Sequence, residues 1–465
     1  MLGGTPQIVA HDVDSAFAFS PDGSHMAYFR ANDPETGKFR LLSSKLDGSD
    51  EKVLFIHNLD FLPRWIAWSP DGKTLAYPDA VPEAFGMIGL FDLRSGKIHA
   101  ISLADKFVQA LQWSTSGDGL FVTYLQKGPN LAHVQIGFFS LSDGQIHPIS
   151  RDTNSSSTIT LSGDGKALAT VQEKAVSSLS ILPGDGNSAV ATSVLVEGET
   201  IGNFNWSPDG SLLTSDLRRL LRTDIHGKEP TVLLSDSAAA ILGFSSCGTR
   251  YFVFPWAFHG GSNGIGIWRV DADGSNPRQL TNGSNDGWES KPVCAGNWVY
   301  FFRDVQHIWR APLDGATDGS FKAEPVAATA INQGFHTGRG MGISPDGKTL
   351  AYMIELVDPA TQTGTQKIAL LDLQSLGPPR MVDPNPLIAA GPQFTPDGKF
   401  VAYPVRDAGI DNLWTQPING SASHQITKFD SEQMRSFDWS PDGMRLGVLR
   451  GHTDSDVVLF QESKP

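Results

Sequence analysis

Residues 259–264 contain the spacing of a catalytic nucleophile. Gly260, Ser262 and Gly264 match the Gly-x-Ser-x-Gly pattern of many hydrolases, and His259 stands beside them as a base. A nucleophile of this type needs a buried strand before the serine and a helix after it. The segment that follows, IGIWRVDADG, alternates like a strand instead. The sequence therefore predicts a glycine-rich loop between two strands, and we assign no catalytic residue.

Acidic pairs and histidines are the candidates for a metal site. Asp271-Ala272-Asp273-Gly274 begins like a calcium loop, but Ser275 stands where that loop needs Asp or Asn, and the later Glu is absent. Asp12 and Asp14 form a similar short pair. The twelve histidines show no His-x-His or His-x-x-x-His spacing of the kind that binds zinc. We interpret the acidic pairs as turns and predict no metal and no cofactor.

Carboxylates from distant parts of the chain are a further source of chemistry. Glycoside hydrolysis needs two of them at a set separation. No motif selects a pair among the 50 Asp and Glu residues. A hydrolase or lyase with dispersed carboxylates remains an alternative, while the leading prediction is that the protein is not an enzyme.

Charge and composition exclude several partners. The chain has 36 Lys and Arg residues against 50 Asp and Glu, a net charge of −14, which disfavours binding to nucleic-acid phosphates. No run of 18 apolar residues exists, so no segment is expected to insert into a membrane. The first residues lack the basic and apolar regions of a signal peptide. Cys247 and Cys294 are predicted as inert thiols, with one disulfide as the alternative.

A phrase of the form aromatic-Ser-Pro-Asp-Gly, followed by an apolar Ala-Tyr strand, recurs through the whole chain. The copies lie about 47 residues apart, which is the length of a four-stranded propeller blade. Pro, Asp and Gly are turn residues, and the flanking segments alternate like the two strands of a hairpin. The position of the serine is occupied in ten copies by Ser20, Ser69, Ser114, Ser162, Ser207, Ser245, Cys294, Ser344, Thr395 and Ser440. The sequence predicts an all-β fold, a β-propeller of four-stranded antiparallel blades with about ten repeats.

The repeats also resemble a known family. The segment GIWRVDADGSNPRQLTNG, Gly266–Gly283, together with the SPDG turns, is similar to the WD-like propeller repeat of the bacterial Tol-system protein TolB. LGGTPQIVAHDVDSAFAFSPDG and the ending FDWSPDGMRLGVLRGHTDSDVVLF resemble the C-terminal propeller region of bacterial membrane-bound serine/threonine protein kinases. No kinase motif is present, so the resemblance implies only a sensor or scaffold role. It also implies a periplasmic or extracytoplasmic place, although the sequence itself leaves the localisation unknown.

The repeats allow two domain organisations. In the first, residues 1–149 form a partial propeller of three blades plus an N-terminal strand, and residues 150–465 form a seven-bladed propeller whose missing strand comes from Gln145–Ser150. In the second, residues 1–465 form a single ten-bladed ring, closed by an N-terminal strand over residues 3–9. The first is preferred because rings usually have about four to eight blades.

Long loops on one predicted face are the candidate ligand site. Loops before the first strand and between the second and third strands of a blade open on the same face. Such loops on a rigid scaffold often bind partners. Neighbouring blades place aromatic, His and Arg side chains there, a mixture typical of binding surfaces: Trp256, His259, Trp288, His336 and Arg339. The structural alternative is that the Trp rings pack in the gaps between blades and contact no ligand.

These observations favour a binding function. The predicted protein is a non-catalytic binding module, a sensor or scaffold propeller for a protein, a peptide or a cell-envelope component. A Tol-like periplasmic interaction protein is the second alternative, beside the hydrolase or lyase.

Overall fold

The computed structural model describes most of the chain. The described residues are 7–35, 38–58, 62–81, 84–127, 133–151, 154–194, 201–228, 230–236, 239–257, 259, 265–281, 289–303, 308–314, 322–326, 333–335, 340–357 and 363–461. They form two compact units, of which unit 1 comprises residues 1–174 and 454–465 and unit 2 comprises residues 175–453.

Unit 1 contains three complete four-stranded antiparallel sheets, with strands in chain order. Their strands are β1 (Ala18–Phe19), β2 (His25–Ala31), β3 (Lys38–Lys45), β4 (Lys52–Asn58), β5 (Ala67–Trp68), β6 (Thr74–Val81), β7 (Ala84–Asp92), β8 (Lys97–Ser102), β9 (Lys106–Trp113), β10 (Gly119–Gln126), β11 (Gln135–Ser140) and β12 (Ile146–Pro148). Successive sheets pack against each other, β1 on β5 and β5 on β9.

Two long strands pass from one unit to the other. They are β15 (Ala167–Pro183) and β40 (Arg445–Gln461), which are hydrogen-bonded neighbours in one sheet. In unit 1 the short strands β13 (Ser155–Ser156) and β14 (Thr160–Leu161) pair with the first half of β15. In unit 2 the second half of β15 pairs with β16 (Thr192–Val194), which follows a 3-10 turn at Ser188–Val190.

Unit 2 has six sheets among its described residues, here named blades A to F. Blade A holds β17 (Asn203–Trp206), β18 (Leu212–Ser215), β19 (Arg219–Thr223) and β20 (Thr231–Ser235); blade B holds β21 (Ala240–Ile241), β22 (Ser245–Cys247), β23 (Tyr251–Ala257), β24 (Ile265–Asp271) and β25 (Arg278–Gln279); blade C holds β26 (Ser290–Ala295), β27 (Trp298–Phe302), β28 (Ile308–Pro312) and β29 (Glu324–Pro325). Blade D holds β30 (Gln333–Phe335), β31 (Met341–Ile343), β32 (Thr349–Val357), β33 (Gly364–Asp372) and β34 (Arg380–Val382). Blade E holds β35 (Gln393–Phe394), β36 (Phe400–Asp407), β37 (Ile410–Pro417) and β38 (His424–Gln425). Blade F consists of β39 (Gln433–Trp439), β16, and those residues of β40 and β15 that belong to unit 2.

The six blades of unit 2 close a ring. Strand β17 of blade A contacts β22 of blade B, and contacts continue through β26, β31 and β35 to blade E. Blade F completes the cycle, because β39 contacts both β37 of blade E and β17 of blade A. Blade F is assembled from two distant parts of the chain, so the ring is held shut by strand pairing between residues 175–194 and 433–453.

The repeated turns explain why hairpins form at the SPDG phrases. In blade D the Ser344 hydroxyl donates to Asp346 Oδ1 at 2.6 Å and accepts from the backbone N–H of Thr349 at 2.9 Å. Gly347 has φ +71°, a conformation that glycine adopts without a steric penalty. The hydroxyl holds the pKa of Asp346 below its usual value, so the turn carries a charge that is already hydrogen-bonded.

The aromatic residue before several of the turns is buried at the start of the hairpin. Trp206 and Trp439 are buried. The Trp206 indole N–H donates across the boundary of blades A and F to Asp438 O at 3.0 Å, whereas the Trp439 indole donates within blade F to Gly184 O at 2.9 Å. In unit 1 the Trp113 indole donates to Ala67 O of the neighbouring sheet at 3.2 Å. A buried indole usually finds such a partner, so the Trp113 and Trp206 bonds tie their strands to the neighbouring sheet.

The prediction of an all-β propeller with four-stranded antiparallel blades is confirmed. Within the described ranges the structure has no helix that is long and apolar enough to cross a membrane.

The observed domain division differs from the predicted one. The predicted boundary lies between residues 149 and 150, whereas the units divide at 174/175 and again at 453/454. The segment 167–183 contains no Gly, Asn or Asp, so no turn interrupts β15 and the strand continues past residue 174. Unit 2 consequently has six described blades where the prediction has seven.

The strand that completes the last blade also differs from the prediction. Ile146–Pro148, within the predicted closing segment Gln145–Ser150, pairs with β11 in its own sheet. The outer strands of blade F are instead β15 and β16. Of the predicted N-terminal strand over residues 3–9, residues 3–6 lie outside the described part of the chain, and residues 7–9 are not in a strand.

Candidate functional site

The inner strands of unit 2 surround a cavity of about 190 Å³. Each inner strand is the edge of its sheet, so one row of its backbone groups has no strand partner in that sheet. All six blades contribute to the wall, through residues 202–205, 242–245, 291–293, 340–341, 390–393 with 404, and 435–437. The cavity therefore lies where the inner strands begin, at the end of the blades where the sequence predicted ligand-binding loops.

Two cations line this cavity. Lys291 is exposed to the cavity, has no ion-pair partner among the described residues, and sits at φ +52° in a bulge of β26. The surrounding walls remove bulk water from its ammonium group and lower its pKa. Arg435 is also exposed, and its guanidinium donates to His452 O at 3.0 Å and Thr453 Oγ1 at 3.4 Å, both neutral acceptors. No Asp or Glu occurs among the described residues that line the cavity.

The rest of the wall is polar or backbone. Amide side chains come from Asn203, Asn205 and Gln393, and a hydroxyl comes from Ser436. The aromatic rings at the cavity are buried between the blades: Phe204 is 1% exposed, Phe244 6% and Phe437 3%. The cavity thus offers hydrogen-bonding groups and positive charge, but no exposed aromatic face among its described residues.

Asp438 directly follows Phe437, the last lining residue of the cavity in the sequence. Its carboxylate accepts the Trp206 backbone N–H at 3.1 Å, so it joins the inner strands of blades F and A. Desolvation at this blade boundary raises the pKa of Asp438 to about 7. The carboxyl group is used in closing the ring.

His259 and Trp256 belong to a second cluster, at the same end of blade B. The His259 ring stacks on Trp256 with centroids 3.4 Å apart, and Trp268 meets both rings edge-on. His259 Nδ1 lies 2.6 Å from Asp236 Oδ2, a carboxylate at the end of β20 in blade A. Trp256 is only 3% exposed, and its indole nitrogen has no hydrogen-bond partner among the described residues. Trp256 is therefore a packing residue, while the half-buried His259 links two blades.

The other three predicted ligand residues cannot be placed. Trp288, His336 and Arg339 lie outside the described residues, as does the segment 260–264 with its Gly-x-Ser-x-Gly pattern. The structure brings Trp256 and His259 together and leaves the remaining members of the predicted face as predictions.

A buried ion pair lies at the start of blade C. Glu289 is 1% exposed, and its carboxylate accepts from Arg303 at 2.8 Å, from the Ile267 backbone N–H at 3.0 Å and from the Thr281 hydroxyl. Burial raises the pKa of Glu289, and the bonds from Thr281 and Arg303 oppose that rise. Its oxygens are occupied by protein donors, so the cluster joins blades B and C and offers no free acid. Within the described ranges no group of three or more His, Cys, Asp or Glu is placed to hold a metal.

The prediction of two inert thiols is wrong. Cys247 and Cys294 form a disulfide with their Cα atoms 5.4 Å apart. They lie on the inner strands of blades B and C, one repeat apart in sequence. Equivalent positions of neighbouring blades are adjacent in a ring. The two sulfur atoms are therefore close enough to bond.

Sequence reasoning missed both cations of the cavity. Lys291 and Arg435 are 144 residues apart and outside the repeated phrase. A signal was available, since each lies a few residues before the serine position of its own repeat, where inner strands begin.

The repeats, the four-stranded sheets and the closed ring of unit 2 make this chain a β-propeller protein. No protein-family model matches it, and no curated protein sequence does. Among solved structures it is similar to TolB from Agrobacterium tumefaciens, with 18% identity over 60% of this chain and 99% of that one and a TM-score of 0.45. It is also similar to the tricorn protease (13% identity, 87% of this chain, 42% of that one, TM-score 0.37) and to oligogalacturonate lyase from Vibrio parahaemolyticus (13%, 87%, 98%, 0.31). At these identities the likeness concerns the fold alone.

Proposed function

We propose that this protein is a non-catalytic binding module that receives its ligand in the cavity of unit 2. The observation that carries the proposal is the wall of that cavity. Six inner strands present edge backbone groups, amides, a hydroxyl and two cations without carboxylate partners. Polar groups that converge on a preformed hollow are typical of ligand sites.

The same wall argues against a glycoside hydrolase at this cavity. Acid–base cleavage of a glycoside needs paired carboxylates at the substrate. The described lining residues include none, and the nearby buried acids Asp438 and Glu289 already accept hydrogen bonds from the protein. Binding is therefore the function that this geometry supports best.

We place the ligand among proteins or peptides of the cell envelope, with the protein acting as a sensor, a scaffold or a Tol-like periplasmic interaction protein. The disulfide between Cys247 and Cys294 supports a site outside the cytoplasm, because disulfides persist in oxidising compartments.

A cavity-filling substitution tests the proposal. Gln393→Trp places a large ring in the cavity, whereas Thr231→Trp adds the same ring at an exposed position of the outer strand β20. The immobilised full chain and both variants are exposed to a cell-envelope extract, and retained molecules are identified by mass spectrometry. We expect retention by the parent and Thr231→Trp and loss with Gln393→Trp, with unchanged circular dichroism.

Two results would contradict the proposal. One is equal retention by the folded Gln393→Trp variant. The other is turnover of a peptide or glycan substrate that disappears when one Asp or Glu is replaced, which would favour the enzyme.

A further inference from the structure

We infer that the cavity of unit 2 selects acidic peptide segments, with Lys291 and Arg435 holding the ligand's carboxylates. This inference rests on the proposed function and names the class of its ligand.

The charge pattern is the first step. The chain as a whole carries −14, yet the described charged residues of the cavity wall are both cations. Positive charge that is kept free of acid partners inside an acidic protein attracts anions, and the walls reduce the screening by water. Arg binds carboxylates through two parallel hydrogen bonds, and Lys binds them as a point charge.

Among the described residues, no carboxylate of the protein pairs with either cation and would compete with a ligand for it. Arg435 is held by a backbone carbonyl and a threonine hydroxyl, which orient the guanidinium without neutralising it. Lys291 has no hydrogen-bond or ion-pair partner among the described residues. A ligand carboxylate therefore displaces no salt bridge of the described structure.

The polar wall favours a peptide over an acidic glycan. Asn203, Asn205 and Gln393 carry amides that can both donate to and accept from peptide groups, and the inner strands expose edge N–H and C=O groups that an extended peptide can use. Sugar rings usually stack on exposed aromatic faces. The described aromatic residues here, Phe204, Phe244 and Phe437, are buried.

The size of the cavity limits what enters. Its volume of about 190 Å³ lies below the roughly 300–1,000 Å³ of pockets that enclose drug-sized ligands. A carboxylate-bearing side chain or chain end fits this space, whereas a folded domain does not. The ligand is thus a segment of a polypeptide that inserts its acidic group.

Calorimetric titration of the full chain tests the inference with three peptides. They are acetylated, amidated Gly-Glu-Gly-Glu-Gly and its counterparts with Gln or Lys at the two Glu positions. The variant Lys291→Met with Arg435→Gln removes both charges. Its matched control, Lys228→Met with Arg445→Gln, removes two exposed charges of unit 2 outside the cavity.

We expect the parent and the control to bind the Glu peptide at least about tenfold more tightly than the Gln peptide, because a hydrogen bond to a charged group contributes about that much. The cavity variant should lose this preference. The charge-reversed variant, Lys291→Glu with Arg435→Glu, should bind the Lys peptide better than the Glu peptide. A misfolded protein would not show that gain.

Several results would overturn the inference. They are no binding of the Glu peptide by the parent, equal binding of the Glu and Gln peptides, an unchanged preference in the cavity variant, or binding of an oligogalacturonate without the peptide. If Gln393→Trp abolishes retention of the envelope ligand but the cavity variant does not, the proposed function stands and the charge selection fails. If Gln393→Trp changes nothing, the proposed function itself fails.

Discussion

Asp438 shows how one residue can couple the closure of the ring to pH. Its carboxylate bonds the Trp206 backbone across the boundary of blades F and A, and desolvation raises its pKa to about 7. In an unfolded chain the pKa is about 3.9. The folded state therefore holds this proton more tightly.

The sign of the pH effect follows. Between about pH 4 and 7 the folded protein binds more protons than the unfolded chain, so the contribution of Asp438 to stability is full at low pH and falls as the pH rises, by at most about 1.4 kcal/mol per unit. Asp438→Asn should remove this slope and keep an acceptor for Trp206. Urea unfolding at pH 4.5 to 8, with the exposed Asp407→Asn as control, measures it. A parent-like slope in Asp438→Asn would assign the pH effect to other groups.

At the scale of elements, neighbouring inner strands are held together by covalent and polar links. The disulfide joins β22 to β26, and the Ser245 hydroxyl donates to Pro292 O at 2.7 Å between the same strands. These links lie beside Lys291, so they also fix the part of β26 that carries the cation.

Removal of the disulfide should destabilise unit 2. It closes a loop of 47 residues, for which the chain-entropy model gives about 4 kcal/mol, with about 2–4 kcal/mol the usual range. Cys247→Ser with Cys294→Ser should lower the free energy of unfolding by that amount, measured by denaturant titration. The reducing agent dithiothreitol should have the same effect on the parent and none on the variant. An equal response of both proteins would show that the bond does not form in solution.

At the scale of the whole molecule, unit 2 depends on its C-terminal strands. Blade F takes β39 and the first half of β40 from the C-terminal part of the chain, and β15 and β16 from residues 175–194. Strand β39 from the C-terminal part makes the ring contacts with blades A and E.

Two truncations separate these contributions. A chain ending at Thr453 keeps the strands of blade F, whereas a chain ending at Glu432 loses β39 and β40. We expect limited proteolysis to leave a resistant fragment spanning unit 2 in the first protein and none in the second. A resistant unit 2 in the shorter chain would mean that the ring does not need the pairing between β15 and β40.

Local turn chemistry explains how much of the fold was predictable. The Ser344–Asp346–Gly347 turn is complete within six residues, so its sequence determines a hairpin wherever it occurs. Long-range strand pairing was not predictable. Blade F is built from two distant parts of the chain, and which strand pairs with β40 does not depend on any local sequence pattern.

The candidate site divides in the same way. Sequence reasoning placed Trp256 and His259 at the ligand end of the blades, because loop position follows from the repeat, but it could not foresee that Trp256 is buried in packing. The cavity cations escaped it because neither residue belongs to a motif. By itself the sequence determined an all-β propeller and the position of its turns, through interactions spanning a few residues. Only the tertiary structure decided the disulfide, the six-bladed ring of unit 2 and the placement of Lys291 and Arg435 in the wall of one cavity, since each depends on the closure of the ring.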